Sequence, residues 1–263
     1  MIKRHYIDND WGGQIHLAEV GLKSLKNPSV LLIHQTPRSW DEYKEVMALL
    51  GSSCHLIAMD LPGMGASSPS PNTPSIETYA QAAAKVVRHF GSEAMIVCGH
   101  HTGGVVSVDL AAKAPELVHS LVLSSTPWID PKAREERSRK TTIDTAVTRR
   151  DGQHLIDYWN QRSPYYPENN EFMARFMADV LKASNPTEGH KAVEQFHMEE
   201  MVSKIVCPVL IIEHMQDPFA VKHTQHLREN FPQAELEHIP NGQVALEVGA
   251  DEFSAILKKW ILK

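Results

Sequence analysis

The sequence is poor in several features, and each scarcity removes a class of protein. It has no run approaching the about 18 apolar residues of a membrane-spanning helix. The start Met1-Ile2-Lys3-Arg4-His5-Tyr6 lacks the apolar core of a secretion signal. Neither insertion nor export is expected. Cysteine occurs 3 times in 263 residues. Cys54, Cys98 and Cys207 fall in or beside apolar β-like runs, the setting of small buried thiols and not of a disulfide framework or metal cluster. A cytoplasmic location is the expectation. There is no excess of positive charge, since the net charge is −6, so neither nucleic acid nor a membrane surface is an expected partner. Pro62-Gly63-Met64-Gly65 lacks the Walker lysine and the dinucleotide pattern, so it is no phosphate cradle.

What is present is an alternation of short apolar runs with segments of helical spacing. Trp11-Gly12-Gly13 marks a turn between two edge strands within residues 1–20. Val30 to His34 and His55 to Asp60 read as strands buried on both faces. Between them Trp40, Tyr43, Val46, Met47 and Leu50 recur at helical spacing, closed by Gly51. Ser75 is the N-cap of a helix using Ile76, Tyr79, Ala83, Val86, Val87 and Phe90. Strands follow in the apolar run that begins at Met95 and at Leu121 to Ser125, and the short links imply a parallel sheet with right-handed crossovers. From 128 to 204 the strands stop. Charged helical segments, an aromatic loop from Tyr158-Trp159 to Tyr165-Tyr166-Pro167, and a helix through Phe172, Phe176 and Val180 read as an inserted helical cap. The sheet resumes at Val206 to Ile212 and ends with Glu235 to Ile239, before a helix on Phe253, Ile256, Leu257, Trp260 and Ile261. The expectation is one α/β fold, a mostly parallel central sheet flanked by helices, with core 1–127 and 205–263 and cap 128–204.

The stretch Met95-Ile96-Val97-Cys98-Gly99-His100-His101-Thr102-Gly103-Gly104-Val105-Val106 passes from strand to helix through a glycine-flanked turn with His101 at its apex. His34-Gln35-Thr36-Pro37 stands upstream, Asp60-Leu61-Pro62-Gly63-Met64-Gly65-Ala66-Ser67 after the next strand, and Asp217-Pro218-Phe219 after a later one. In order and spacing these resemble the α/β-hydrolase superfamily, in its capped branch. That family writes His-Gly-x-Pro, Asp-x-x-Gly-x-Gly-x-Ser, a Gly-x-Ser-x-Gly nucleophile elbow and an acid at these places. The resemblance implies a small-molecule substrate, no cofactor, Asp217 as acid, and the Thr36 and Thr102 amides as oxyanion donors. A homodimer is compatible with it. Two family residues are replaced together: His101 occupies the serine position, and Gln243 stands where the catalytic histidine is expected. Ser107, Ser124 and Ser125 do not restore the serine, because they belong to the following helix and the next strand end.

An imidazole at residue 101 is long enough to reach towards Asp217, which leads to the expectation of a His-Asp dyad. Asp217 would fix the ring tautomer, His101 would act as general base or nucleophile, and Gln243 would donate a neutral hydrogen bond. The reaction class is hydrolysis of a small ester, lactone or C–C bond, or lyase or decarboxylase chemistry. The alternative is a non-catalytic pseudo-hydrolase that binds a small ligand. His34, Gln35 and Trp128 join the pocket residues by position, although a hydrogen-bonded structural role is the ordinary one for His34 and His100. Asp130 is a reserve acid. A metal held by His34, His101, Asp217 and His214 has suitable ligand types but no spacing motif. Trp40, Trp128, Trp159, Tyr165 and Tyr166 are candidates to line an apolar cavity. Lys132, Arg134, Arg137, Arg139 and Lys140, interleaved with Glu135 and Glu136, read as a solvated helix face.

Overall fold

The computed structural model describes all residues except 25, 92, 140–143 and 241–245, so Lys140 and Gln243 lie outside the described residues. Strands β1 (Lys3–Asp8) and β2 (Gln14–Val20) form the antiparallel edge, turned through Gly12 and Gly13 at positive φ. Strands β3 (Val30–Ile33), β4 (Leu56–Met59), β5 (Met95–His100), β6 (Val118–Ser124), β7 (Val209–His214) and β8 (Glu235–Ile239) complete an eight-stranded sheet. Its order is β1-β2-β4-β3-β5-β6-β7-β8, antiparallel as far as the β2–β4 pair and parallel beyond it.

Helices α1 (Lys44–Leu50), α2 (Ile76–His89) and α3 (Thr102–Lys113) make the crossovers of the first half. A 3-10 turn over Trp40–Tyr43 precedes α1, and Ser75 caps α2 by accepting from Thr78 N–H. Both faces of the central strands β3, β4 and β5 are covered, which is why they read as near-unbroken apolar runs. Leu31, Ile33, Ile57 and Val97 pack with α2 and α3, while Val30, Leu32, Leu56 and Ile96 pack with α1 and the C-terminal helix.

Between β6 and β7 lie α4 (Pro131–Ser138), α5 (Gln153–Arg162), α6 (Asn170–Lys182) and α7 (Glu188–Gln195), with no strand among the described residues. Tyr158 and Trp159, expected in a loop, lie inside α5. Tyr158 is buried with Tyr166, Met173, Phe176 and Val180, and its hydroxyl donates to Ala146 O (3.0 Å). Helix α7 has a buried face of only Gly189, Ala192 and Val193, too short a stripe to read from sequence. After β7 come α8 (Thr224–Asn230) and, closing the chain, α9 (Ala250–Ile261). None of the described helices is long and apolar enough to cross a membrane.

Arg38 ties the inserted helices to the sheet. Its fully buried guanidinium donates to Asp179 Oδ2 of α6 (2.9 Å), Glu247 Oε1 (2.8 Å) and the Tyr166 hydroxyl (3.2 Å). The Ser39 hydroxyl donates to the other oxygen of Asp179 (2.7 Å).

Helix α3 runs so close to the sheet that no side chain fits at Gly103, or at Gly99 in the strand before it. A Cβ on Gly103 would sit 2.0 Å from Ile33 O, and one on Gly99 would sit 2.1 Å from Gly103 O. Backbone atoms on both sides cannot move aside. Gly103→Ala is therefore expected to destabilise the fold by about 2 kcal/mol or more, read as a lowered urea midpoint with an unchanged slope.

Candidate active site

Strand β5 reaches α3 through one residue, His101, at φ 47° and ψ −113°. A non-glycine residue held there stores strain of about 1–3 kcal/mol. The main chain is anchored on one side, where His101 N–H donates to Ser124 O at the end of β6 (3.0 Å). Thr102 opens α3, so its amide has no helical acceptor. Thr36 follows β3 and faces the same cavity. Neither amide donates to a protein acceptor among the described residues.

The His101 ring meets the acid two strands away. Its Nε2 lies 2.6 Å from Asp217 Oδ2, with Asp217 fully buried and the histidine ring slightly exposed. The other oxygen, Oδ1, accepts from Phe219 N–H (2.9 Å) and Ala220 N–H (3.2 Å). Burial pushes the Asp217 carboxyl up, but the adjacent His101 ring and these donors more than reverse it, holding it well below the usual carboxylate range. An ionised Asp217 accepts a hydrogen bond only, so the proton of a neutral His101 ring sits on Nε2 and Nδ1 keeps its lone pair. No described protein atom hydrogen-bonds that Nδ1.

Behind the dyad, Ser124 Oγ lies between His100 Nδ1 (2.9 Å) and His214 Nε2 (3.0 Å), and the His100 and His101 rings meet edge to face. Burial pushes His214 down to about 4, so it is neutral at pH 7. Among the described residues no serine hydroxyl hydrogen-bonds His101 or Asp217.

A cavity of about 230 Å³ opens over this turn. Gln35, Thr36, His101, Thr102, Pro218 and Phe219 form its floor and side, and α4, α5 and α7 supply Arg137, Arg162, His190 and Glu194. Charged side chains share its walls with apolar Pro127, Val193, Pro218 and Phe219. The aromatic lining expected from Trp40, Trp128, Trp159, Tyr165 and Tyr166 is absent from it. Tyr166 is taken into the packing of the inserted helices, and the Tyr165 ring stacks at a tilt on Phe219 (4.7 Å). Trp128 packs into the core on the α2–α3 face, and its indole N–H donates to Asp130 Oδ2 (3.0 Å). Asp130 also caps α4 by accepting from Ala133 N–H (2.7 Å), so both of its oxygens are engaged.

His34 is fully buried away from the cavity lining. Its Nδ1–H donates to Gln35 O (2.7 Å) and its Nε2 accepts from Leu61 N–H (3.0 Å). Gln35 does line the cavity, but its amide nitrogen and backbone N–H are both bound by the Glu42 carboxylate (2.5 and 2.9 Å). His34, His101, Asp217 and His214 do not gather their donor atoms as a metal cage would. Among the described residues, the group that does converge is surface His197, Glu199 and Glu200.

Arg137, expected on a solvated helix face, instead lines the cavity, and Arg162, His190, Lys222 and His223 join it there without any signal in the sequence. The spacing of Ala133, Glu136 and Arg137 on α4 is a face signal, but nothing in the chain indicates what that face meets.

The sequence model for the alpha/beta hydrolase fold matches residues 28–244, and the chain belongs to that family. The human protein named "Serine hydrolase-like protein" is 32% identical over 119 residues, covering 44% of this chain and 57% of that protein. "Putative carbamate hydrolase RutD" of Agrobacterium fabrum is 25% identical over 264 residues, covering 94% of this chain and 98% of the relative. Three curated relatives matched over shorter stretches are spanned for only 21%, 57% and 37% of their lengths. Of the solved structures, E-2-(acetamidomethylene)succinate hydrolase superposes with a TM-score of 0.78 at 18% identity, over 100% of this chain and 99% of that one, a likeness of fold alone.

Buried Asp144 joins the cavity walls. It pairs with both sides of the Arg162 guanidinium and lies 2.8 Å from His190 Nε2. Burial pushes its carboxyl up, but Arg162 and His190 hold it down to about 2. A depressed carboxylate stabilises the fold above its ordinary value of 3.8 and loses that contribution as pH falls towards 2. Asp144→Asn should therefore remove about 2 kcal/mol at pH 7 and leave a smaller difference from wild type at pH 2, read from urea midpoints at the two pH values.

Proposed function

We propose that this chain is a hydrolase of a small carbonyl compound, an ester, a lactone or an activated C–C bond, with a His101–Asp217 dyad in place of the Ser-His-Asp triad. The observation that carries this reading is the 2.6 Å contact between His101 Nε2 and Asp217 Oδ2 at a strained turn opening on a cavity. The turn then serves as an elbow that presents a base instead of a serine, and residues 128–204 serve as the cap. Relatives named as hydrolases favour hydrolysis over lyase or decarboxylase chemistry with the same base.

In the proposed reaction His101 Nδ1 takes a proton from water as the water oxygen bonds to the carbonyl carbon. The C=O π pair moves onto oxygen, and the Thr36 and Thr102 N–H groups stabilise that oxyanion. Asp217 steadies the imidazolium without taking its proton. When the oxyanion collapses, the bond to the leaving group breaks and the leaving atom receives the proton from His101. Each proton and electron pair is accounted for within water, substrate and one imidazole, with no serine and no cofactor step.

His101→Ala is expected to lower kcat/KM for any ester or lactone turned over by the wild type by about 100- to 10,000-fold. Turnover that survives this change undiminished would falsify the assignment. A fluorophosphonate probe should leave the serines unlabelled by intact-mass spectrometry, and a serine adduct that tracks loss of activity would point to an acyl-serine route.

A further inference from the structure

The cavity holds cationic groups that the reaction above does not use. Arg137 on α4, Lys222 and His223 line it together with His101. Arg162 lines it too, but Asp144 neutralises it. Arg137 and Lys222 are different, because neither has an ion pair or hydrogen-bonded carboxylate among the described residues. Two acids share the lining, exposed Glu136 and half-buried Glu194, and neither comes within 4.0 Å of Arg137 or Lys222 to form an ion pair.

The local field can be read from His223. Burial first, then Arg137, Lys222, His226 and His101, push its proton off down to about 3, with no carboxylate among these causes. Burial likewise lowers Arg137, opposed by Glu194 alone and at a distance. A guanidinium partly removed from water without an anion is left in want of one, and its planar fork matches a carboxylate. The cavity, about 230 Å³, is smaller than the roughly 300–1,000 Å³ of pockets for drug-sized ligands, so its occupant is a compact molecule.

We propose that Arg137, assisted by Lys222, binds the carboxylate of a small anionic substrate, an oxo-acid or an acid bearing an ester or lactone group. Its carbonyl then lies over His101 and the Thr36 and Thr102 amides. Only the placing of the carbonyl rests on the hydrolase reading, while the anion preference stands on the cavity wall itself.

The test is equilibrium binding by calorimetry of 4-oxopentanoate and of its methyl ester, which differ in the anionic charge and one methyl group. Wild type should bind the acid at least about 10-fold more tightly, the scale of a charge-assisted contact. Arg137→Gln should erase that preference, and Lys222→Gln, an exposed change, should reduce it severalfold with the fold intact. Equal affinity for acid and ester, no binding of the acid, or a preference that both variants retain overturns the proposal. Because the readout is binding, such a result leaves the His101 dyad to its turnover test. Loss of the dyad in that test leaves the anion preference standing.

Discussion

The backbone of α3 presses against the ends of β3 and β5 so closely that a methyl group at Gly99 or Gly103 would overlap main-chain atoms. Everything at the site depends on that approach. With no room to curve gradually, the chain turns within one residue, and the turn carries His101 into positive φ above the sheet. The hydrogen bond from His101 N–H to Ser124 O holds the turn against β6, and Asp217, following β7, then lies at ring distance. The strain at residue 101 is tolerated because the surrounding backbone contacts leave the turn no other path.

The remainder of the site is assembled by buried charge. Arg38 joins a loop of the sheet core to α6 and to Glu247, and Glu42 of the same segment fixes Gln35 next to the Thr36 amide. Asp144, Arg162 and His190 do the same within the inserted helices at the cavity wall. Buried ion pairs contribute little net stability when set against apolar packing, but breaking one leaves a charge stranded. Their value here is positional, since each joins segments far apart in the chain at one fixed geometry.

Relative to a Ser-His-Asp arrangement, the dyad changes which imidazole nitrogen is free. Asp217 engages Nε2, so Nδ1, close to the main chain that bears the ring, is the nitrogen the proposed reaction uses. In the proposed reaction water, not a side-chain hydroxyl, is the attacking group, and orienting a small substrate would fall to the cavity walls. Membership of the alpha/beta hydrolase fold family sets the scaffold for this but not the chemistry, which the fold supports in many forms.

Much of the fold was legible in the chain, because local physics writes it there. Apolar runs such as Val30 to Ile33 register burial on both faces, Ser75 declares a helix start, and Gly99 and Gly103 mark a tight turn whatever residue sits at its apex. The approach of His101 to Asp217 could be anticipated from the length of an imidazole and the order of strands. Other features needed the folded molecule. Tyr158 and Trp159 read as loop residues until their partners 8 to 22 residues later in the chain, Tyr166 to Val180, were packed around Tyr158. Trp128 turned into the core, and Arg137, one of several charges on a solvated-looking helix, turned to the cavity. The physical reason is common to these cases. Burial of a strand or capping of a helix is decided by neighbours in sequence, whereas the partner of a charged or aromatic side chain is decided by which distant segment the tertiary fold brings against it.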